Sequence, residues 1–247
     1  MSRQLKTEVL GPPPLLHRML EARAVPEYLC GVTSRVLQRY LPQGDRHPVV
    51  VVPAFMGSAV STKRLRDFLR SLGYYTFDWR LGRNTGPVGP TEAALLERVQ
   101  MIHERMGQKP SLVGWSLGGV YARILAQTHP QHLRSVITLG SPLRYPHQSS
   151  ADSLYRQASG QFEHPEHLME IDAAPGIPAT SIHSRLDGIV NWRACLSEES
   201  ATSENIRVYG SHCGLGYQPL VHCIIADRLA QPEGAWERFT WRNLPFI

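Results

Sequence analysis

Pro110-Ser111-Leu112-Val113-Gly114-Trp115-Ser116-Leu117-Gly118-Gly119-Val120-Tyr121 is a short apolar run that ends in Gly-x-Ser-x-Gly. It passes at once into a helical pattern, with Val120, Ile124 and Leu125 at helical spacing. That order is strand, tight turn, helix. Such a turn crowds its central residue, so the neighbours two positions away must be nearly free of side chain. Ser116 then stands at the end of the strand with its hydroxyl exposed, and the next helix points its amino terminus at it. The five-residue pattern alone is weak, arising by chance in roughly one chain in ten of this length. The flanking strand and helix carry the reading; an ordinary glycine-rich strand-to-helix turn is the alternative.

Outward from this stretch, strand-like and helix-like segments alternate. Val49-Val50-Val51-Val52 is β-branched and continuous, as in a strand buried on both faces. The loop Pro53-Ala54-Phe55-Met56-Gly57-Ser58 follows. Next comes an amphipathic helix with Leu65, Phe68, Leu69 and Leu72, capped by Ser61 or Thr62 and stopped at Gly73. Tyr74 to Trp79 reads as a strand, leading through the glycine-rich loop Leu81 to Pro87 into a helix from about Thr91 to Met106. Further strands are expected at Ser135 to Leu139, Ala179 to His183 and Ile206 to Tyr209, and a closing helix from about Pro219. This alternation predicts an α/β fold: a mostly parallel central sheet, helices on both faces, and ligands beyond the carboxyl ends of the strands.

Residues 143–176 break the rhythm. They are polar with scattered aromatics and sit between two strands at the ligand end, so they read as a cap or lid insertion. Residues 1–46 read as an N-terminal helical segment packed on the 47–247 domain, a tail and two short helices broken at Pro26. Leu29, Val32, Val36 and Tyr40 would line the second helix, and an interfacial anchor is the alternative role.

At 247 residues, with 42% hydrophobic and 19% charged, the chain fits one large globular domain. The net charge of +5 comes with arginines spread along the chain and no nucleic-acid motif. No nucleic-acid partner is expected, and at most a weak attraction to an anionic membrane surface. Neither a bilayer-spanning run nor a secretory signal is visible, which predicts a cytoplasmic location. Cys30, Cys195, Cys213 and Cys223 have no metal spacing and read as buried thiols, a Cys195 bridge to Cys213 or Cys223 being the lesser alternative. With no phosphate-binding, zinc-binding or dinucleotide motif, no metal and no cofactor is expected.

A serine hydroxyl is a poor nucleophile at neutral pH and needs a base in reach, which in turn needs an acid to hold its tautomer. Ser116, Asp187 and His212 occur in that order, each directly after a strand. The rival histidines fall in helices (His103, His129, His132, His222), in the insertion (His147, His164, His167) or within a strand (His183), and Asp172 is the rival acid. An oxyanion hole would take the Leu117 N–H and, from the loop after the first strand, the Phe55 N–H. Core packing is the alternative for Phe55 and Met56.

With these residues in hand, the chain resembles the lipase/esterase-like branch of the α/β-hydrolase superfamily, from about Pro48 to Leu229. The resemblance is carried by Gly114-Trp115-Ser116-Leu117-Gly118-Gly119, Ile137-Thr138-Leu139-Gly140-Ser141-Pro142, the stretch His183 to Val190, and Gly210-Ser211-His212. It implies the α/β-hydrolase fold and acyl transfer from carboxylic esters to water, with Ser116 as nucleophile, His212 as base, Asp187 as orienting acid, and Phe55 and Leu117 as oxyanion donors. Relatives commonly have His-Gly before the oxyanion residue, where this chain has Pro53-Ala54. Met56 and Trp115 are candidates for the substrate pocket, and the expected substrate is a small-molecule or lipid ester with a hydrophobic acyl group. Acyltransferase, thioesterase or amidase chemistry on the same triad, or binding of an apolar small molecule without turnover, are the alternatives.

Overall fold

The computed structural model of the chain describes residues 10–30, 37–144, 149–159 and 171–244. Among these, the short apolar runs become six strands: β1 (Pro48–Val52), β2 (Tyr75–Asp78), β3 (Ser111–Trp115), β4 (Ser135–Leu139), β5 (Ala179–Ser184) and β6 (Ser203–Val208). They form one sheet in the order β2-β1-β3-β4-β5-β6, with every neighbouring pair parallel. The helices are α1 (Leu15–Met19), α2 (Ala24–Cys30), α3 (Lys63–Ser71), α4 (Val88–Met106), α5 (Leu117–Thr128), α6 (Asp152–Ser159) and α7 (Pro219–Leu229).

Every residue of β1 is buried, because the sheet is covered on both sides. Val49 and Val51 face one layer, packing with Leu65, Phe68 and Leu69 of α3 and Ile224 of α7. Val50 and Val52 face the other, with Leu95 and Val99 of α4 and Ile124 and Leu125 of α5. The chain steps from β1 out to β2 and then back past β1 to β3. The connections therefore diverge between β1 and β3, and the loops at their carboxyl ends flank a crevice. Those loops are 53–57 and the turn at Ser116.

Two helix boundaries differ from the sequence reading, both at a proline. The helix expected from Thr91 starts at Val88, and α2 runs through Pro26 rather than breaking there. Pro90 and Pro26 occupy first turns, where no backbone N–H is needed. The N-terminal break is the 3₁₀ stretch Leu20–Arg23 instead. Val32 and Val36 lie outside the described residues, as do 145–148 and 160–170 of the expected cap. Cys195, Cys213 and Cys223 carry free thiols, and Cys30 and Cys213 are exposed rather than buried. Among the described residues no helix is long and apolar enough to cross a membrane.

Candidate active site

β3 ends in a turn where Ser116 takes φ 52° and ψ −122°. Such angles are strained for a residue with a side chain, and the surrounding bonds hold them. The Ser116 N–H donates to the Leu139 carbonyl at 2.8 Å, and the Gly119 N–H donates to the Ser116 carbonyl at 2.9 Å. Backbone crowding dictates the glycines. A Cβ on Gly114 would lie 2.4 Å from the Gly119 Cα, and one on Gly118 would lie 2.5 Å from the Pro53 carbonyl oxygen. Gly118 thus lets the turn approach the 53–57 loop.

The acid and the base come from the loops after β5 and β6. Ser184 Oγ joins these loops, donating to the Gly210 carbonyl at 2.7 Å and accepting the Gly210 N–H at 3.1 Å. Asp187 Oδ1 accepts the Ile189 and Val190 N–H groups at 2.8 and 2.7 Å, and Oδ2 lies 2.6 Å from His212 Nδ1. Both side chains are almost wholly withdrawn from solvent, 0% exposed for Asp187 and 4% for His212. Burial pulls the His212 pKa down, but the charge and hydrogen bond of Asp187 and the charge of Glu21 outweigh it, and the net direction is up from 6.5. With Nδ1 engaged, Nε2 is the nitrogen available for proton transfer.

Ser116 and His212 line one cavity of about 570 Å³, together with Phe55, Met56, Trp115 and Leu117. Trp115 is also structural: its indole N–H donates to the His212 carbonyl at 3.1 Å and its ring meets Tyr217 edge-on. Leu117 opens α5, so its N–H has no acceptor within the helix. In the 53–57 loop the Met56 N–H is taken by the Asn84 carbonyl at 2.7 Å and the Gly57 N–H by the Ala54 carbonyl at 2.9 Å. Among the described residues the Phe55 and Leu117 amides have no acceptor. The left-handed angle in this loop falls at Met56, φ 62°, not at Ala54, so the alanine at the usual glycine position is accommodated.

Asn84 escaped the sequence reading, where it looked like one more turn residue in a glycine-rich loop. It is fully buried. Its Nδ2 donates to the Pro53 carbonyl at 2.8 Å, its backbone N–H donates to the Gly57 carbonyl at 2.8 Å, and its Oδ1 accepts the Tyr121 hydroxyl at 3.2 Å. Asn84 therefore ties the 53–57 loop to the helix that follows Ser116.

The rivals lie elsewhere. Asp172 is 3.7 Å from Arg144, and His183 stacks on Trp192. His147, His164 and His167 lie outside the described residues. A second Ser-His-Asp series does exist: Asp45 Oδ1 is 2.5 Å from His47 Nδ1, and His47 Nε2 is 3.0 Å from Ser111 Oγ. It sits at the amino ends of the strands with Ser111 fully buried, where no substrate reaches the hydroxyl. Burial pulls the His47 pKa below 6.5, against the hydrogen bond to Asp45, opposite to the balance at His212. Cys213 borders the cavity, but partial burial and the Glu21 carboxylate push its thiol up to about 12, so it stays protonated and weakly nucleophilic.

Residues 47–184 match the family model of the alpha/beta hydrolase fold. The chain belongs to the α/β-hydrolase family. Its solved structural neighbours include lipase B of Aspergillus fumigatus (18% identity, TM-score 0.60), of which it spans about half: 77% of this chain covers 54% of that one. A monoacylglycerol lipase of Paleococcus ferrophilus matches over 77% of this chain and 96% of its own, at 17% identity and TM-score 0.56. A thioesterase domain from the curacin biosynthetic pathway matches over 76% and 92%, at 12% identity and TM-score 0.51. At such identities the likeness is one of fold. No curated protein matches the sequence significantly.

Proposed function

We propose that this hydrolase cleaves carboxylic esters with hydrophobic acyl groups through an acyl-enzyme on Ser116. The observation that carries the reading is that His212, paired with Asp187, lines the same apolar cavity as the strained Ser116. In this reaction His212 Nε2 takes the Ser116 hydroxyl proton as Oγ bonds to the ester carbonyl carbon, and Asp187 stabilises the imidazolium. The carbonyl electron pair moves to oxygen, and the Phe55 and Leu117 N–H groups hold the oxyanion. Collapse of this intermediate expels the alcohol, which takes the proton from His212. Water then gives a proton to His212 and attacks the acyl carbon, and collapse releases the acid and returns the proton to Ser116.

The preference for an apolar acyl chain rests on the cavity lining, which includes Phe55, Val120, Tyr155, Ile171 and Val190. The test is hydrolysis of p-nitrophenyl esters from acetyl to palmitoyl, wild type beside Ser116→Ala. The expected result is faster turnover of longer acyl groups than of acetyl, and a loss of about 10³-fold or more in the variant. A folded wild-type protein inactive on the whole series would exclude this function.

A further inference from the structure

The acid and base loops share a third carboxylate that belongs to neither. Glu21 lies in the 3₁₀ stretch between α1 and α2, far away in sequence. Its Oε1 accepts the Gly188 N–H and the His212 N–H, both at 2.8 Å, and its Oε2 accepts the Cys213 N–H at 3.0 Å. One oxygen thus bonds the residue after the acid and the base itself. Hydrogen bonds to an ionised carboxylate are shorter and stronger than neutral ones, and these add to the Ser184 bonds to Gly210 in holding the two loops in register. The same segment adds Glu27 on the Ser211 N–H at 3.0 Å and the Arg23 guanidinium on the Leu186 carbonyl at 2.8 Å. Beyond, Ala24, Val25 and Tyr28 line the cavity.

We propose that Glu21 is a positioning residue of the active site, a clamp that locks the Asp187 loop to the His212 loop from the N-terminal segment. This rests on the reading of Ser116, His212 and Asp187 as the triad. Glu21 does not line the cavity, so it acts through His212 rather than on substrate. Its charge also acts. The ionisable groups around His212 are Asp187 from the β5 loop, Glu21 and, beyond it, Glu27 and Arg23 from the N-terminal segment, and Cys213 beside it. Of these, Asp187 and Glu21 favour the imidazolium that forms during serine attack.

Glu21→Gln removes the charge and turns one carboxylate oxygen into an NH₂ that faces an N–H donor. Glu21→Asp keeps the charge but is one methylene too short to reach both loops. The first readout needs no turnover: the titration midpoint of the His212 imidazole, followed by NMR in the Ser116→Ala protein. We expect it above 6.5 with Glu21 present, lower by about half a pH unit or more in Glu21→Gln, and close to the parent in Glu21→Asp. On the best ester, kcat falls roughly tenfold or more in both variants with KM nearly unchanged, because the machinery loosens while the cavity stays. An unmoved midpoint together with wild-type kcat in folded Glu21→Gln would overturn the clamp. If that variant does not fold, wild-type kcat in Glu21→Asp does so instead. Should wild type itself hydrolyse no ester, the function falls while the NMR arm still decides whether Glu21 acts on His212.

Discussion

Replacing Asn84 by alanine tests whether the 53–57 loop is held for catalysis. The substitution leaves the backbone bonds to Met56 and Gly57 and deletes two side-chain bonds, to the Pro53 carbonyl and from the Tyr121 hydroxyl. Pro53 and Tyr121 are buried, so the stranded carbonyl and hydroxyl do not regain water, although Tyr121 keeps its hydrogen bond with Thr91. An unsatisfied buried polar group costs about 1–3 kcal/mol, so the two together cost up to about 6 kcal/mol, a large part of the 5–15 kcal/mol that holds a typical domain. For activity, the ceiling is the loss of one oxyanion donor, ~10²–10³ in turnover. Because the two backbone bonds survive, Phe55 drifts rather than leaves, and we expect kcat to fall by about ten- to a hundredfold with KM little changed. Urea unfolding gives the first number and saturation kinetics on the best ester the second. Folded Asn84→Ala with wild-type kcat would refute the reasoning, because the loop would then keep its geometry without the side chain.

Two further predictions concern stability. Burial lowers the pKa of His183 to about 4, with Arg185 and Arg207 adding to it, and burial lowers that of His222 to about 4. Between pH 6.5 and about 4 the unfolded chain therefore binds two protons that the native state refuses. From these groups stability falls with falling pH across that window, by at most about 3 kcal/mol per pH unit, shared equally between the two. Urea midpoints from pH 7 to 4.5 measure the slope, and His222→Phe should remove about half of it; an unaltered slope contradicts the burial argument. Gly114→Ala pushes a Cβ to 2.4 Å from the Gly119 Cα and is expected to cost about 3 kcal/mol or more, whereas Gly176→Ala, with nothing within 4 Å, changes stability by under about 0.5 kcal/mol. Equal unfolding midpoints for these two variants would show that the turn relaxes freely.

Much of the fold is readable because its signals are local. The all-valine run became the buried strand β1, and the glycines around Ser116 became the crowded turn, as period and steric bulk dictate. The order Ser116, Asp187, His212, each after a strand, is likewise visible in one dimension. Helix ends were harder to read, since a proline that breaks a helix and one that sits harmlessly in its first turn look alike in sequence, as Pro26 demonstrates.

The sequence by itself determined the parallel α/β scaffold and which residue types stand at the carboxyl ends of its strands, because strand period, turn sterics and topology depend on near neighbours. The tertiary structure alone decided which Ser-His-Asp series meets a cavity, since Asp45, His47 and Ser111 also carry the right atoms yet lie at the opposite end of the sheet, with His47 and Ser111 buried. It alone disclosed the supports. Asn84 reaches Pro53 across 31 positions and Glu21 reaches His212 across 191. A carboxylate or an amide in a polar stretch has no role until folding delivers its donors and acceptors, and which of them arrive is set by the packing of the whole chain.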